Sequence, residues 1–175
     1  MDSKAFEQIY IKYFDMLYRI CFLYMKNEAD ALDIVQEVFE KILNEKVVFG
    51  KMQGNSTDME AAGEQHLKAW LIVTASNACK SQLRRWWNKK RNEYSDELEK
   101  QLSMQERTEH SEILAEVLSL DDKYRIPVYL HYYEGYSTIE IGQMLRISPS
   151  TIRTRLAKAR QLLKLSLEDG SFQTW

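Results

Sequence analysis

Apolar side chains recur at helical intervals through the first 45 residues of the chain. Phe6, Ile9, Tyr10, Tyr13, Leu17, Ile20, Cys21 and Tyr24 follow the i, i+3, i+4 rule and predict one amphipathic helix. Asn27 is placed to cap a second helix, Asp30 favours its positive end, and Ile34, Val35, Val38, Phe39 and Ile42 form its buried stripe. Periodicity then breaks from about Asn44 to Gln65, a stretch holding three of the six glycines, which reads as a loop. A third helix is predicted from about His66 to Trp87, with Leu67, Trp70, Leu71, Thr74, Ala78, Leu83 and Trp86 inward. Past Trp87 the pattern dissolves into about 25 polar residues, read as a linker.

The helical signal returns at Ile113, through Leu114, Val117 and Leu118. Asp121 is set to cap a further helix that stops at Gly135, and Pro127 inside it should kink it unless the regular part begins near the proline itself. Thr138 to Lys164 then carries a short helix, a tight connection at Arg146–Ser148 and a longer helix, the layout of a helix-turn-helix. Gly142 lets the two helices approach; Ile139, Leu145, Ile152 and Leu156 are the predicted seam; Ser148–Pro149 supplies an N-cap followed by proline at N1. The second helix therefore opens with free backbone N–H groups beside Ser150 and Thr151, an arrangement that grips phosphate. Arg153, Arg155, Lys158 and Arg160 follow on its polar side, suiting a helix that lies in the major groove of duplex DNA. The plainer alternative is a helical hairpin with a solvated basic face.

The fold class expected is all-α, in two small helical domains. With 175 residues, six Gly and two Pro, the chain has too little turn chemistry for a β-sandwich. No apolar run is long enough to cross a membrane and the first residues lack a signal-peptide layout, so the expectation is a cytoplasmic protein with no direct membrane insertion. Cys21 and Cys79 form no CxxC pair and read as reduced core residues. The three His share no ligand spacing with the two Cys, nothing pairs a nucleophile with a base, and no Gly-rich phosphate loop is present. The reading is of no catalytic, cofactor or metal site.

Charge changes the picture more than composition does. The net charge is only −2, but residues 80–92 hold six bases and no acid, and residues 146–164 hold another six bases and no acid. Between them, residues 93–112 carry seven acids against Lys100 and Arg107. Two acid-free runs in a mildly acidic protein point to two anionic contacts.

Taken in order, these segments resemble the extracytoplasmic-function (ECF) sigma factors, the two-domain specificity subunits of bacterial RNA polymerase in the sigma-70 family. Asp33-Ile-Val-Gln36-Glu37-Val-Phe39 is similar to the family's core-binding helix, His66-Leu-Lys-Ala-Trp70-Leu with Asn77 and Leu83-Arg84-Arg85 to its promoter-melting helix, and Tyr136 to Lys164 to its region four. The resemblance implies sigma region two over residues 1–91, a flexible acidic linker over 92–112, region four over 113–167 and a tail over 168–175. It implies core RNA polymerase as partner, through the clamp of the largest subunit and the flap of the second-largest. Promoter DNA and an anti-sigma factor complete the implied partners.

By the same resemblance, Asp33, Gln36 and Glu37 would touch the polymerase clamp. Asn77, with the 44–65 loop, would take a base of the separated strand, and Lys80, Arg84 and Arg85 would hold the minus-ten element. Ser148, Ser150, Thr151, Arg153, Thr154, Arg155, Lys158 and Arg160 would read the minus-thirty-five element. Departures from the family pattern are Ile72 and Val73 after Trp70-Leu71, Leu32, Ser81, and Arg146 at the turn, where a residue with a Cβ is strained if φ is positive. The rival is a helix-turn-helix regulator acting without polymerase, which has no need of the first basic run; an adaptor docking through residues 1–45 would leave both runs unexplained.

Overall fold

The computed structural model describes residues 3–44, 57–92 and 112–168, and every regular element among them is helical. The chain separates into two compact units, residues 1–95 and 96–175.

The first unit is built from α1 (Ser3–Met25), α2 (Glu28–Asn44) and α3 (Thr57–Asn92), each packed on the other two. Asn27 caps α2 as predicted, its Oδ1 accepting from the Asp30 N–H at 2.9 Å. All five residues of the α2 stripe are buried, facing Leu17, Ile20 and Leu23 of α1 and Leu71, Ile72 and Ala75 of α3. Along α1, Phe6, Tyr10, Phe14, Tyr18 and Phe22 form an i, i+4 ladder with ring centroids 5.2–6.3 Å apart. Cys21 and Cys79 are free and buried, as read from the sequence.

Helix α3 differs from its predicted span at both ends. It starts at Thr57 rather than His66, because Met59 to Ala62 are good helix formers and one glycine, Gly63, costs a helix only about 1 kcal/mol. The remainder of the predicted loop, residues 45–56, lies outside the described residues. At the other end α3 continues to Asn92, past the predicted stop at Trp87. Trp86, predicted inward, is 38% exposed, because by that point the helix has run beyond the surfaces of α1 and α2. Most of the acidic linker, residues 93–111, lies outside the described residues.

The second unit contains α4 (Glu112–Ser119), α5 (Asp122–Val128), a π-helical turn (Tyr129–Tyr133), α6 (Thr138–Leu145) and α7 (Pro149–Glu168). Asp121 starts α5 through its backbone carbonyl, which accepts from the Tyr124 and Arg125 N–H groups at 2.9 and 3.0 Å, and makes no side-chain cap. Pro127 removes one donor from this helix, and directly after it the chain widens into the π-turn, where the Glu134 N–H reaches back to the Tyr129 carbonyl at 3.2 Å. Gly135, at φ 77°, ends the segment. Arg125 is fully buried. It pairs with Asp122 and its Nη1 donates to the Leu118 carbonyl at 2.9 Å, holding the end of α4 against the start of α5. Burial lowers its pKa to about 10, still cationic at neutral pH.

Candidate nucleic-acid interface

The helix-turn-helix of the second unit is fixed at three points. Ser137 and Glu140 form a capping box at the start of α6: the Ser137 N–H donates to Glu140 Oε2 at 2.8 Å and Ser137 Oγ accepts from the Glu140 N–H at 3.3 Å. These bonds to Ser137 hold the Glu140 carboxyl below its ordinary pKa. At the turn, a Cβ on Gly142 would stand 2.6 Å from the Ile147 carbonyl oxygen, so only glycine admits this approach. Arg146, the last residue of α6's cap, takes the left-handed conformation at φ 57°.

The seam differs from prediction at one position. Leu145, Ile152 and Leu156 are buried, but Ile139 is 58% exposed and Ile141 takes its place with no exposure. Ile141 lies four residues before Leu145 and shares its face of α6, whereas Ile139 lies about 200° round from Ile141 and turns outward.

Ser148 caps α7, accepting from the Thr151 N–H at 3.2 Å, and its hydroxyl lies 3.0 Å from Ser150 Oγ and 2.8 Å from Thr151 Oγ1. A cluster of three hydroxyls thus surrounds the positive end of a 20-residue helix. At about 100° per residue, Ser150, Arg153, Thr154, Lys158 and Gln161 share the exposed side of α7, opposite buried Ile152, Leu156 and Ala159. Two predicted contacts fall to the flanks. Arg155 is half-buried, and Arg160 Nη1 donates to the Tyr132 hydroxyl at 3.0 Å. Gln161, which the sequence reading missed, was legible at seven residues from Thr154; Lys158 Nζ donates to it at 3.2 Å.

In the first unit, Asp33, Gln36 and Glu37 are all exposed on α2, opposite its apolar stripe. Glu37 pairs with Lys41 at 2.8 Å and Gln36 donates to Glu40 at 3.1 Å, so the face is an ordered acidic strip. On α3, Asn77 and Arg84 are exposed and Lys80 half-buried, and their spacing places them within about 60° of one another on one side of the helix. Arg85, also exposed, lies about 80° round from Asn77. Ile72, one of the departures from the family pattern, is buried in the core.

The second unit therefore presents a capped, basic helix-turn-helix, and residues 110–163 match the family model described as sigma-70, region 4. Over nearly its whole length the chain is similar to the ECF RNA polymerase sigma factor SigW of Bacillus subtilis (strain 168), at 28% identity covering 96% of this chain and 91% of that one. It is also similar to the RNA polymerase sigma factor SigV of the same organism, at 29% identity covering 86% and 83%. The fold matches that of sigma factor RpoE in its co-crystal structure with the anti-sigma factor NepR from Bartonella quintana: TM-score 0.67, 19% identity, 94% of this chain and 98% of that one. The homologues of this chain are thus ECF RNA polymerase sigma factors. Among the described residues no helix is long and apolar enough to cross a membrane.

Proposed function

We propose that this chain binds core RNA polymerase, directs it to specific promoters and helps open the DNA there. The observation that carries the reading is the pairing of two acid-free basic runs, residues 80–92 on α3 and 146–164 leading into and along α7, each in its own compact unit. Residues 1–91 act on the minus-ten element and residues 113–167 on the minus-thirty-five element, with 92–112 as tether.

The division of labour follows from the chemistry. The capped start of α7 suits duplex DNA: Ser148, Ser150 and Thr151 meet phosphate and base edges at the groove entrance, while Arg153, Thr154 and Lys158 continue along the outward side. Arg155 and Arg160 reach the duplex from the flanks. Opening a promoter without fuel requires the protein to hold the separated strand more tightly than the duplex, and extruding a base costs a few kcal/mol. Asn77 supplies edge hydrogen bonds, and Lys80, Arg84 and Arg85 supply phosphate contacts. Asp33, Gln36 and Glu37 meet the polymerase clamp. A protein that masks these faces, as NepR accompanies RpoE in its crystal, would act as an anti-sigma factor.

Adding the purified chain to bacterial core RNA polymerase on genomic DNA tests the reading, with specific new transcript starts as the expected result. Duplex binding with no transcript would make the chain a helix-turn-helix regulator instead.

A further inference from the structure

One side-chain contact in the second unit crosses 28 residues and joins two exposed groups. Arg160 Nη1, on the flank of α7, donates to the Tyr132 hydroxyl of the π-turn at 3.0 Å. Tyr132 is 52% exposed, so burial does not explain its place. Its ring is held by neighbours: the His131 ring stands edge-on to it, centroids 4.9 Å apart at 76°, and His131 Nδ1 donates to the Tyr136 carbonyl at 2.8 Å. The Tyr136 N–H closes back on the Leu130 carbonyl at 3.0 Å. The hydroxyl that meets Arg160 is thus carried by the backbone that widens after Pro127.

We propose that Tyr132 is a positioning residue that aims the Arg160 guanidinium at a phosphate of the duplex. The inference rests on the function proposed above and adds the π-turn to the duplex-reading surface. The chemistry of the partner carries it. A carboxylate would cancel the charge of an arginine, whereas a neutral hydroxyl fixes the planar group and leaves its charge and its other N–H donors for an anion. The place on the helix agrees: Arg160 follows Arg153 by seven residues, about 20° short of two full turns, so both stand on one flank about 10 Å apart. Ala157, exposed and small, lies between them, and residues 146–164 hold no acid to compete. An exposed bond between two long side chains adds little to stability, so its consequence is orientation: part of the rotamer freedom that Arg160 must lose on binding is already restricted.

The test uses holoenzyme reconstituted from the full chain and core RNA polymerase, with duplex fragments of promoters mapped by their transcripts. Affinity is measured across a salt series at a temperature that keeps the duplex closed. Arg160→Ala should flatten the slope of log affinity against log salt by about one unit. Tyr132→Phe, which keeps the ring and removes only the hydroxyl, should weaken binding about 2- to 10-fold when Arg160 is present and have no effect in the Arg160→Ala background. Unchanged affinity in Tyr132→Phe overturns the inference, as does an unchanged slope in Arg160→Ala. Equal loss in both backgrounds also overturns it, because that is the outcome of a purely structural role or of a direct contact by the hydroxyl. Lys158→Ala separates the inference from the function on which it rests. If it and Arg160→Ala flatten the slope while Tyr132→Phe changes nothing, only the positioning role falls; if neither flattens it, or if no promoter can be mapped, the duplex-reading role of α7 falls as well.

Discussion

The two basic helices each carry an acid-free basic run, and they use opposite ends. In α7 the polar chemistry gathers at the start, where Ser148 caps the helix and three hydroxyls surround its positive pole. In α3 it gathers toward the finish of a 36-residue helix, beyond the body that the other helices cover. A helix start offers free N–H groups and a fixed partial charge, which suit the regular phosphates of a duplex. A helix finish offers neither. Bases there are stabilised by the negative pole of their own helix, so cations near the end of α3 have an intramolecular reason to exist. Exposed Asn77 does not share that reason, and on the function proposed above it is what would make α3 a strand-binding surface. Location along the helix, more than the number of charges, separates the two units.

The comparison breaks most readily at the turn of the second unit. Gly142→Ala drives a methyl into the Ile147 carbonyl, a backbone atom that cannot swing aside, and should destabilise that unit by about 1–3 kcal/mol in a thermal or denaturant melt. Duplex affinity should fall with it. Asn77→Ala acts on the other side: loss of one strand-specific hydrogen bond should reduce opening about tenfold, at roughly 1.4 kcal/mol per factor of ten, and leave duplex binding by the second unit unchanged. Equal loss of both would erase the distinction between the helices. Lys158→Ala should flatten the slope of log affinity against log salt on duplex DNA by about one unit, and an unchanged slope would place Lys158 in solvent.

Smaller effects sharpen the same contrast. Arg146 holds a left-handed conformation that disfavours a side chain, and Arg146→Gly should raise stability by about 0.5–1 kcal/mol, read as a higher melting temperature. Glu140 gives a pH dependence. Its folded pKa lies below the unfolded value, about 4.3, so its contribution is fully present above that value and is lost as pH falls through the lowered one. Glu140→Ala should cost about 1 kcal/mol or less at neutral pH and make the melting temperature less sensitive to acid.

Much of this was legible in the residues themselves. The α2 stripe is long enough for its period to be unambiguous, and Asn27 and Ser148–Pro149 announce caps through their own chemistry. What escaped depends on neighbours. Ile139 is the exception: Ile141, four residues before Leu145, is the inward position that the helical period itself marks. Trp86 reads as inward until the body beneath the helix ends. Gly63 reads as a break until the surrounding helix formers outweigh it. The π-turn follows Pro127, but a proline signals a disturbance without specifying whether the chain bends or widens.

The chain contains just two thiols, Cys21 and Cys79, and both sit in the core of the first unit. Their mutual contact and burial push the Cys79 thiol well above its usual range, so it resists alkylation while that core is closed. Reagent uptake then works as a clock for the opening of α1 against α3. Because the second unit has no cysteine, the clock is silent about everything that happens there.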